Sequence, residues 1–333
     1  MATENKKISI VIPNFNGSKF LPVCLASIAG QSWTEFEVIV VDNGSTDNSR
    51  EICRHFSKTK FIELEKNFGF SVAVNIGIKD STGEIIFLLN NDTELDVDCL
   101  RSIIEFFESH SQADIMAAKM IFFNNRELIN DVGDIFSIYG IAHQRGKGEK
   151  NCGQYDKSKR VFGACAGAAA YKKEVFAGVG YLDEDFFAYL EDIDWSFRAN
   201  LSGKQCWYNP EAIVYHVDGG TSSGIKDFSF FLNYRNAIFV IVKNMPLALI
   251  ARALPALIIG QMRTILSGVK HRKISLIFKV YWQVLANWPS LLKKRKDIQK
   301  KRVIKNKEIW SLLSKKYPFN IKRSFLGNYP KIN

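Results

Sequence analysis

Short apolar runs alternate with amphipathic stretches through the first third of the chain. Ile8 to Ile12, Val38 to Val41, Phe61 to Leu64 and Ile85 to Leu89 have the length and aliphatic content of buried strands. Between them, Lys19 to Ala29, Asn48 to Phe56 and Ser71 to Lys79 carry apolar residues at helical spacing. This βαβαβαβ order predicts an α/β fold, with a mostly parallel, Rossmann-like sheet flanked by helices. An amphipathic helix from Asp96 to Ser109 and a strand from Ala113 to Ala118 extend the pattern. From Phe122 to Arg160 the periodicity fades into Asn, Gly and mixed charge, which predicts a long excursion or lid. A small-residue strand from Val161 to Tyr171 follows, then a helix from Glu191 to Leu201 closed by Gly203. The short strands Gln205 to Tyr208 and Ala212 to His216 complete a first unit, residues 1–224.

After Gly224 the composition changes, and residues 225–333 are expected to form a basic amphipathic helical region. Ala237 to Val242 and Leu247 to Met262 are apolar stretches broken by single cations. No charge-free run there reaches the ~18 to 20 apolar residues that a membrane span requires, so amphipathic helices are expected instead. Leu291 to Lys307 reads as a cationic helix. Charge divides along the same line. From Lys226 to Asn333 there are 23 Lys and Arg against 3 Asp and Glu, whereas the remainder holds 22 against 31. An acidic body with a basic tail is expected.

The tail contains no nucleic-acid reading motif, which argues against that partner. Its cations and aromatic residues, as in Phe278 to Trp288 and Lys293 to Lys307, suit the surface of an anionic membrane. The polar segment Met1 to Lys7 leads straight into a strand and has no secretory pattern. A cytoplasmic protein, peripheral to the inner face of the membrane, is the expectation. The six cysteines form no CxxC pair, so buried cytosolic thiols are expected rather than a disulfide framework or a metal cluster.

Candidate chemistry collects at strand ends, where open α/β sheets bind their ligands. The first strand ends in Pro13-Asn14-Phe-Asn16-Gly17 and the second in Asp42-Asn-Gly-Ser45-Thr-Asp47. Asp42 can accept from a base imide or a ribose hydroxyl, while Ser45 and Asp47 suit helix capping. Lys66-Asn67-Phe-Gly69-Phe70, with Asn75 one turn into the next helix, either contacts a nucleotide or makes a plain tight turn. No GxGxxG follows the first strand, so a diphosphate must be neutralised in another way. Asn90-Asn91-Asp92, at the end of the run Ile85 to Leu89, can supply it by holding a divalent cation, Mn²⁺ or Mg²⁺, against phosphate oxygens. His216, at another strand end, could offer a neutral imidazole to the same ion. Glu191 and Asp192 open a helix whose dipole favours ionised carboxylates, and such a group can act as a general base. Asp194 and Arg198, four apart, look like a surface or supporting pair. The small-residue run Phe162 to Ala170 is either a floor beneath a bound sugar or a tightly packed strand.

With these residues in order, the chain resembles family 2 glycosyltransferases of the GT-A fold, and among them the rhamnosyltransferase-like branch. The resemblance is carried by Ile10-Val-Ile-Pro-Asn-Phe-Asn16, Val40-Val-Asp-Asn-Gly-Ser-Thr-Asp47, Asn67-Phe-Gly-Phe70, Asn90-Asn-Asp92, Gly180-Tyr-Leu-Asp183, Tyr189-Leu-Glu-Asp-Ile-Asp194 and His216. It implies inverting, metal-dependent transfer from a nucleoside diphosphate sugar, dTDP-rhamnose or a UDP-hexose. The acceptor would be a hydroxyl of a glycan or lipid-linked molecule in cell-surface polysaccharide synthesis. By position, Asp42 would contact base or ribose, Asp92 and His216 the metal, and Asp192 would be the base beside Glu191. Asn90 departs from the pattern, since many relatives have a first aspartate there, and this leaves one carboxylate fewer near the cation. Two other readings compete: a nucleotide-sugar-binding protein without turnover, and a nucleotidyltransferase. The latter needs a triphosphate loop after the first strand, which is absent.

Overall fold

The computed structural model describes residues 7–217 and 226–317. Its first half alternates as expected: β1 (Ile8–Asn14), α1 (Leu21–Ala29), β2 (Phe36–Asp42), α2 (Ser49–Arg54), β3 (Thr59–Glu63), α3 (Phe70–Asp80) and β4 (Ile85–Leu89). Then come β5 (Thr93–Leu95), α4 (Cys99–Ser109), β6 (Ile115–Phe122), β7 (Ile129–Asp131), β8 (Asp134–Phe136), β9 (Ala142–Gln144), β10 (Lys159–Val161), β11 (Ala168–Lys172) and α5 (Val175–Val179). α6 (Glu191–Leu201) and β12 (Cys206–His216) close the sheet, and α7 (Lys226–Asn244), α8 (Leu247–Lys270), α9 (Ile274–Ala286), α10 (Trp288–Lys300) and α11 (Asn306–Leu312) follow.

The main sheet runs β10-β12-β6-β11-β4-β1-β2-β3, with β5 paired to β12 and β7 to β6. Strands β1 to β4 are parallel, as is the β6–β12 pair, while β11 runs antiparallel between β4 and β6. All five side chains of β4 are buried, which is why its sequence is a continuous aliphatic run rather than an alternating one. In α4 the buried residues Cys99, Leu100, Ile103, Ile104, Phe106 and Phe107 recur at helical spacing and pack on one face of the sheet with β1, β4 and β12.

Two consequences of this topology place the site. The carboxyl ends of β1, β2 and β4 come together at one edge, where the strand order reverses on either side of β1. Because β11 is antiparallel, its beginning lies at that same edge: Ala168 pairs with Leu89, and Asn90 N–H donates to the Gly167 carbonyl at 3.0 Å.

Several expected boundaries shift. The small-residue strand is two pieces, β10 and β11, separated by a turn at residues 162–167. Residues 168–170 are buried strand, and the turn before them bonds Asn90 and Asp192. The two strands expected over 205–216 are one, with an irregularity between Tyr208 and Ile213 where Pro210 lacks an N–H for the ladder. The stretch 122–160 carries the short strands β7, β8 and β9. The cationic helix ends at Lys300 rather than Lys307. The boundary expected at 224 falls outside the described residues. All six cysteines are free: Cys24, Cys53, Cys99 and Cys206 are buried, Cys165 is half-buried and Cys152 is exposed.

The C-terminal helices are fastened to the first unit by buried polar groups. Lys243 of α7 reaches Asp183 and, at 2.8 Å, Asp194, and Asn244 donates to the same Asp194 oxygen at 2.8 Å. Asp194 also accepts from Arg198 at 3.0 Å and is fully buried, so this pair is internal rather than a surface pair. Although burial opposes it, Lys243 and Arg198 hold the Asp194 carboxyl below the usual range. Lys294 of α10 joins Asp183 at 2.6 Å and Asp185 at 2.7 Å, and Arg295 donates to the Val242 carbonyl at 2.6 Å. These two cations of the tail therefore serve the fold.

Candidate active site

At the end of β1, Asn14 links the neighbouring strand ends. Its Nδ2 donates to Asp42 Oδ1 at 2.7 Å, and its Oδ1 accepts from Asn91 Nδ2 at 2.7 Å. Gly17 is required above this chain of side chains, since a Cβ there would lie 2.1 Å from Asn14 Oδ1 and 2.2 Å from Asn91 Nδ2. Asp42 also accepts from the Ser45 hydroxyl at 2.6 Å and from Ser45 N–H at 2.9 Å. Pro13, half-buried, is level with Val41 in the β1–β2 register. Asn16, at φ 50°, accepts from Thr46 N–H at 2.9 Å. Asp47, one residue before the N-cap Asn48, accepts from Ser49 at the start of α2, N–H at 3.1 Å and hydroxyl at 2.6 Å.

Next to this group, Asn67 Oδ1 accepts from Gly69 N–H at 2.9 Å, and Gly69 has φ 98°. A side chain at Gly69 would lie 2.6 Å from the Phe187 carbonyl oxygen, so this turn and the segment before α6 touch. Asn75 has another task than the one expected. Both ends of its amide are engaged, with Leu182 N–H and carbonyl at 2.9 Å each and with Glu184 at 3.0 Å, so it braces the 182–184 loop.

Asp92 and His216, far apart in sequence, are brought together. β5 pairs with β12 so that Thr93 is opposite His216, and His216 Nε2 lies 3.2 Å from Asp92 Oδ1, both side chains being buried. His216 Nδ1 is 3.0 Å from Asn130 Oδ1. An amide oxygen only accepts, so in the neutral ring Nδ1 carries the hydrogen and the Nε2 lone pair is turned toward Asp92. A carboxylate oxygen and an imidazole lone pair facing each other in a buried position fit a divalent cation that completes its shell with phosphate oxygens. Among the described residues no third carboxylate, histidine or cysteine joins them as a metal cluster.

The second acidic group opens α6. Asp192 Oδ2 accepts from Ala166 N–H at 3.2 Å and Oδ1 from Ile193 N–H at 2.8 Å. Burial raises its affinity for protons, against the pull of these N–H groups and the Cys165 thiol. Glu191 is almost fully buried, with Oε2 lacking a hydrogen-bond partner among the described residues. Burial and the charge of Asp192 push it well above the ordinary carboxyl range.

Two further carboxyls, unmarked by the sequence reading, face this pair. Burial chiefly pushes Asp131 up to about 7, with repulsion from Asp192 adding and Gly133 N–H, Lys147 and Arg145 opposing. Asp134 is raised well above its ordinary value by burial, Asp131 and Asp192. The only sequence signal was Asn130-Asp131-Val-Gly-Asp134, two acids around a glycine inside the aperiodic stretch.

The two acidic centres are joined by short paths. The turn Cys165–Gly167 gives a backbone N–H to Asp192 and a carbonyl to Asn90, two residues from Asp92. Asn130 holds His216, and its neighbour Asp131 feels the charge of Asp192.

A cluster of polar strand ends, a carboxylate–imidazole pair and a carboxylate raised by burial thus gather on the carboxyl edge of an α/β sheet, where such folds bind their ligands. Residues 9–180 match the family described as glycosyl transferase family 2, and the chain belongs to it. It is 28% identical over 223 residues to the poly-β-1,6-N-acetyl-D-glucosamine synthase of Staphylococcus epidermidis, a match covering 66% of this chain and 52% of that protein. The chain thus spans about half the length of that relative. Against a PGL/p-HBAD biosynthesis glycosyltransferase of Mycobacterium bovis it is 26% identical over 287 residues, covering 79% of this chain and 98% of the relative. Among solved structures, that of GalNAc-T7 with UDP, GalNAc and Mn²⁺ superimposes with TM-score 0.58 at 15% identity, covering 72% of this chain and 48% of that one. At that identity the likeness concerns the fold, which is the GT-A arrangement expected from the sequence.

Proposed function

We propose that this protein is an inverting glycosyltransferase that uses a nucleoside diphosphate sugar and a divalent cation. The supporting observation is that one turn, Cys165–Gly167, bonds Asp192 through Ala166 N–H and, through the Gly167 carbonyl, Asn90, two residues before the Asp92 that meets His216. Asn14, Asn16, Asp42, Asn67, Gly69 and Asn91 would line the nucleotide pocket. Asp92 and His216 would hold Mn²⁺ or Mg²⁺, which when bound offsets the charge of the departing diphosphate. Asp192 takes the proton of the acceptor hydroxyl as its oxygen bonds to the anomeric carbon. The bond from that carbon to the diphosphate breaks on the opposite side, its electron pair leaving with the phosphate oxygen, and the configuration inverts.

The relatives' names give synthesis of poly-β-1,6-N-acetyl-D-glucosamine and PGL/p-HBAD biosynthesis, and the first, a polysaccharide, supports a glycan acceptor; a lipid-linked one is the alternative proposed. dTDP-rhamnose and UDP-hexoses are the donors proposed. The test is a panel of nucleotide sugars with Mn²⁺, read as thermal shift and as release of nucleoside diphosphate. Stabilisation by one donor with release on adding acceptor supports transfer, and binding with no release under any condition makes the protein a carrier.

Docking on an anionic membrane belongs to the same reading, and the exposed apolar faces of α8 and α9 support it. α8 is long and apolar enough, by length and composition, to cross a membrane, and most of it is uncovered by the rest of the chain. Leu247, Leu254, Ile258, Met262, Leu266 and Val269 form an outward apolar stripe along it. α9 adds Ile274, Phe278, Trp282 and Leu285, with Phe278 and Trp282 each 72% exposed. The helices join through Gly268 against Ile277 and a Tyr281–Gln261 hydrogen bond of 3.0 Å. From Leu247 to Ala286 there are six cations and no acid. Arg252 stacks on Trp310 at 4.1 Å and Gly260 abuts the Tyr139 carbonyl, so α8 lies along the body and suits an interfacial position. The double variant Phe278→Glu, Trp282→Glu is expected to lose flotation with anionic liposomes that the parent protein shows. Equal flotation of both proteins, or of neither, removes this face as the docking surface.

A further inference from the structure

The segment leading into α6 contains the most strained backbone near the site. Phe187, at φ 65° and ψ −63°, is the centre of a positive-φ γ-turn, closed by Ala188 N–H donating to the Phe186 carbonyl at 2.8 Å. Tyr189 and Leu190 follow at φ 68° and 65°. None of the three is Gly, Asn or Asp, the residues that adopt such angles readily, and backbone of this kind persists only where its surroundings over-determine it.

Those surroundings come from α7. Asn236, fully buried, directs its amide Nδ2 at the carbonyls of Phe186 (3.1 Å), Ala188 (2.9 Å) and Tyr189 (2.6 Å). Arg235 Nε donates to Asn236 Oδ1 at 2.9 Å, and since a guanidinium only donates, it sets which way the amide faces. Arg235 Nη2 adds bonds to the carbonyls of Asp185 (2.9 Å) and Phe186 (3.0 Å). On its other side the loop meets the nucleotide-pocket turn, with Ser71 N–H donating to the Phe187 carbonyl at 3.3 Å. Its last carbonyl, that of Leu190, accepts from Asp194 N–H at 2.9 Å and so sets the first turn of α6, which carries Asp192.

We propose that Asn236 is a positioning residue for Asp192, pinning three carbonyls of residues 186–189 so that α6 starts where its carboxylate meets the acceptor. The inference rests on Asp192 being the base. Freed of these bonds, Phe187, Tyr189 and Leu190 relax toward negative φ, and the first turn of α6 shifts while the strand-end pocket stays. A merely structural helix contact would instead loosen the fold as a whole.

The test compares the full chain, Asn236→Ala, and Asn236→Ala combined with Phe187→Gly, which removes the side-chain penalty of the γ-turn. By amide hydrogen exchange, peptides covering 186–193 should exchange about tenfold faster in Asn236→Ala, with peptides of β1 and β4 unchanged. With the donor that the parent protein turns over, kcat should fall about tenfold or more while the affinity for UDP with Mn²⁺ stays within about twofold. Adding Phe187→Gly should recover part of both losses. Exchange confined to wild-type rates, uniform loosening, or loss of UDP affinity in parallel with kcat each overturns the proposal. If Asn236→Ala does not fold, Asn236→Ser, which keeps a shorter donor, is read in the same way. Turnover by Asp192→Asn would sink the base assignment itself, whereas inactive Asp192→Asn beside fully active Asn236→Ala sinks only this inference.

Discussion

Asp192→Asn is expected to abolish sugar transfer while donor and cation binding persist. The amide keeps the size, and its one oxygen can keep one of the two N–H contacts, from Ile193 to Oδ1 or from Ala166 to Oδ2, so any change is confined to the start of α6. What disappears is the ability to take the acceptor proton, a contribution of about 10²- to 10⁴-fold. The measurement is transfer rate beside calorimetric binding of donor with Mn²⁺, and full turnover by the variant would falsify the assignment. The pH profile of the parent protein carries a second signature. A base must be ionised to act, and burial holds Asp192 above the usual carboxyl range. Activity should therefore fall on acidification through a pKa higher than that of an exposed aspartate.

Asp92→Ala is expected to have its largest effect one step earlier, on donor affinity in the presence of cation. Asp92 Oδ1 is 3.2 Å from His216 Nε2 in a buried position, and no other carboxylate or histidine among the described residues joins the pair as a cluster. Loss of an outer partner of a metal ligand already costs ~10- to 100-fold in affinity, and loss of a ligand should cost at least that. Calorimetry of the donor with Mn²⁺, repeated with chelator, should show the parent protein losing affinity on chelation and the variant indifferent to it. If Asp92→Ala binds donor as the parent does, with the same response to chelator, Asp92 has no place in the site.

Legibility differed between parts of the site for physical reasons. A buried parallel strand declares itself by a continuous aliphatic run, and its polar terminus marks the ligand edge, so Asn14, Asp42, Asn91 and Asp92 could be placed from Ile85 to Leu89 and its counterparts alone. His216 stood out because it ends such a run, and the fold brings it 3.2 Å from Asp92. Asn75 shows the limit: helical spacing set it near the edge, but only the fold shows that the 182–184 loop occupies its amide. Asp131 and Asp134 lie in a stretch without periodicity, and the tail's Lys294 and Arg295 looked like cations for a membrane surface although both are bonded internally.

By itself, the sequence determined the βα alternation, the strand ends that bear chemistry and the charge contrast between body and tail, because these follow from short-range hydrophobic periodicity and composition. Only the tertiary structure decided that β11 runs backwards to bring Cys165–Gly167 between the two acidic centres. It also decided that α7 reaches across to hold the left-handed residues before α6. Neither could be read locally, since strand direction and a buried amide's partners depend on long-range packing that leaves no signature in neighbouring residues.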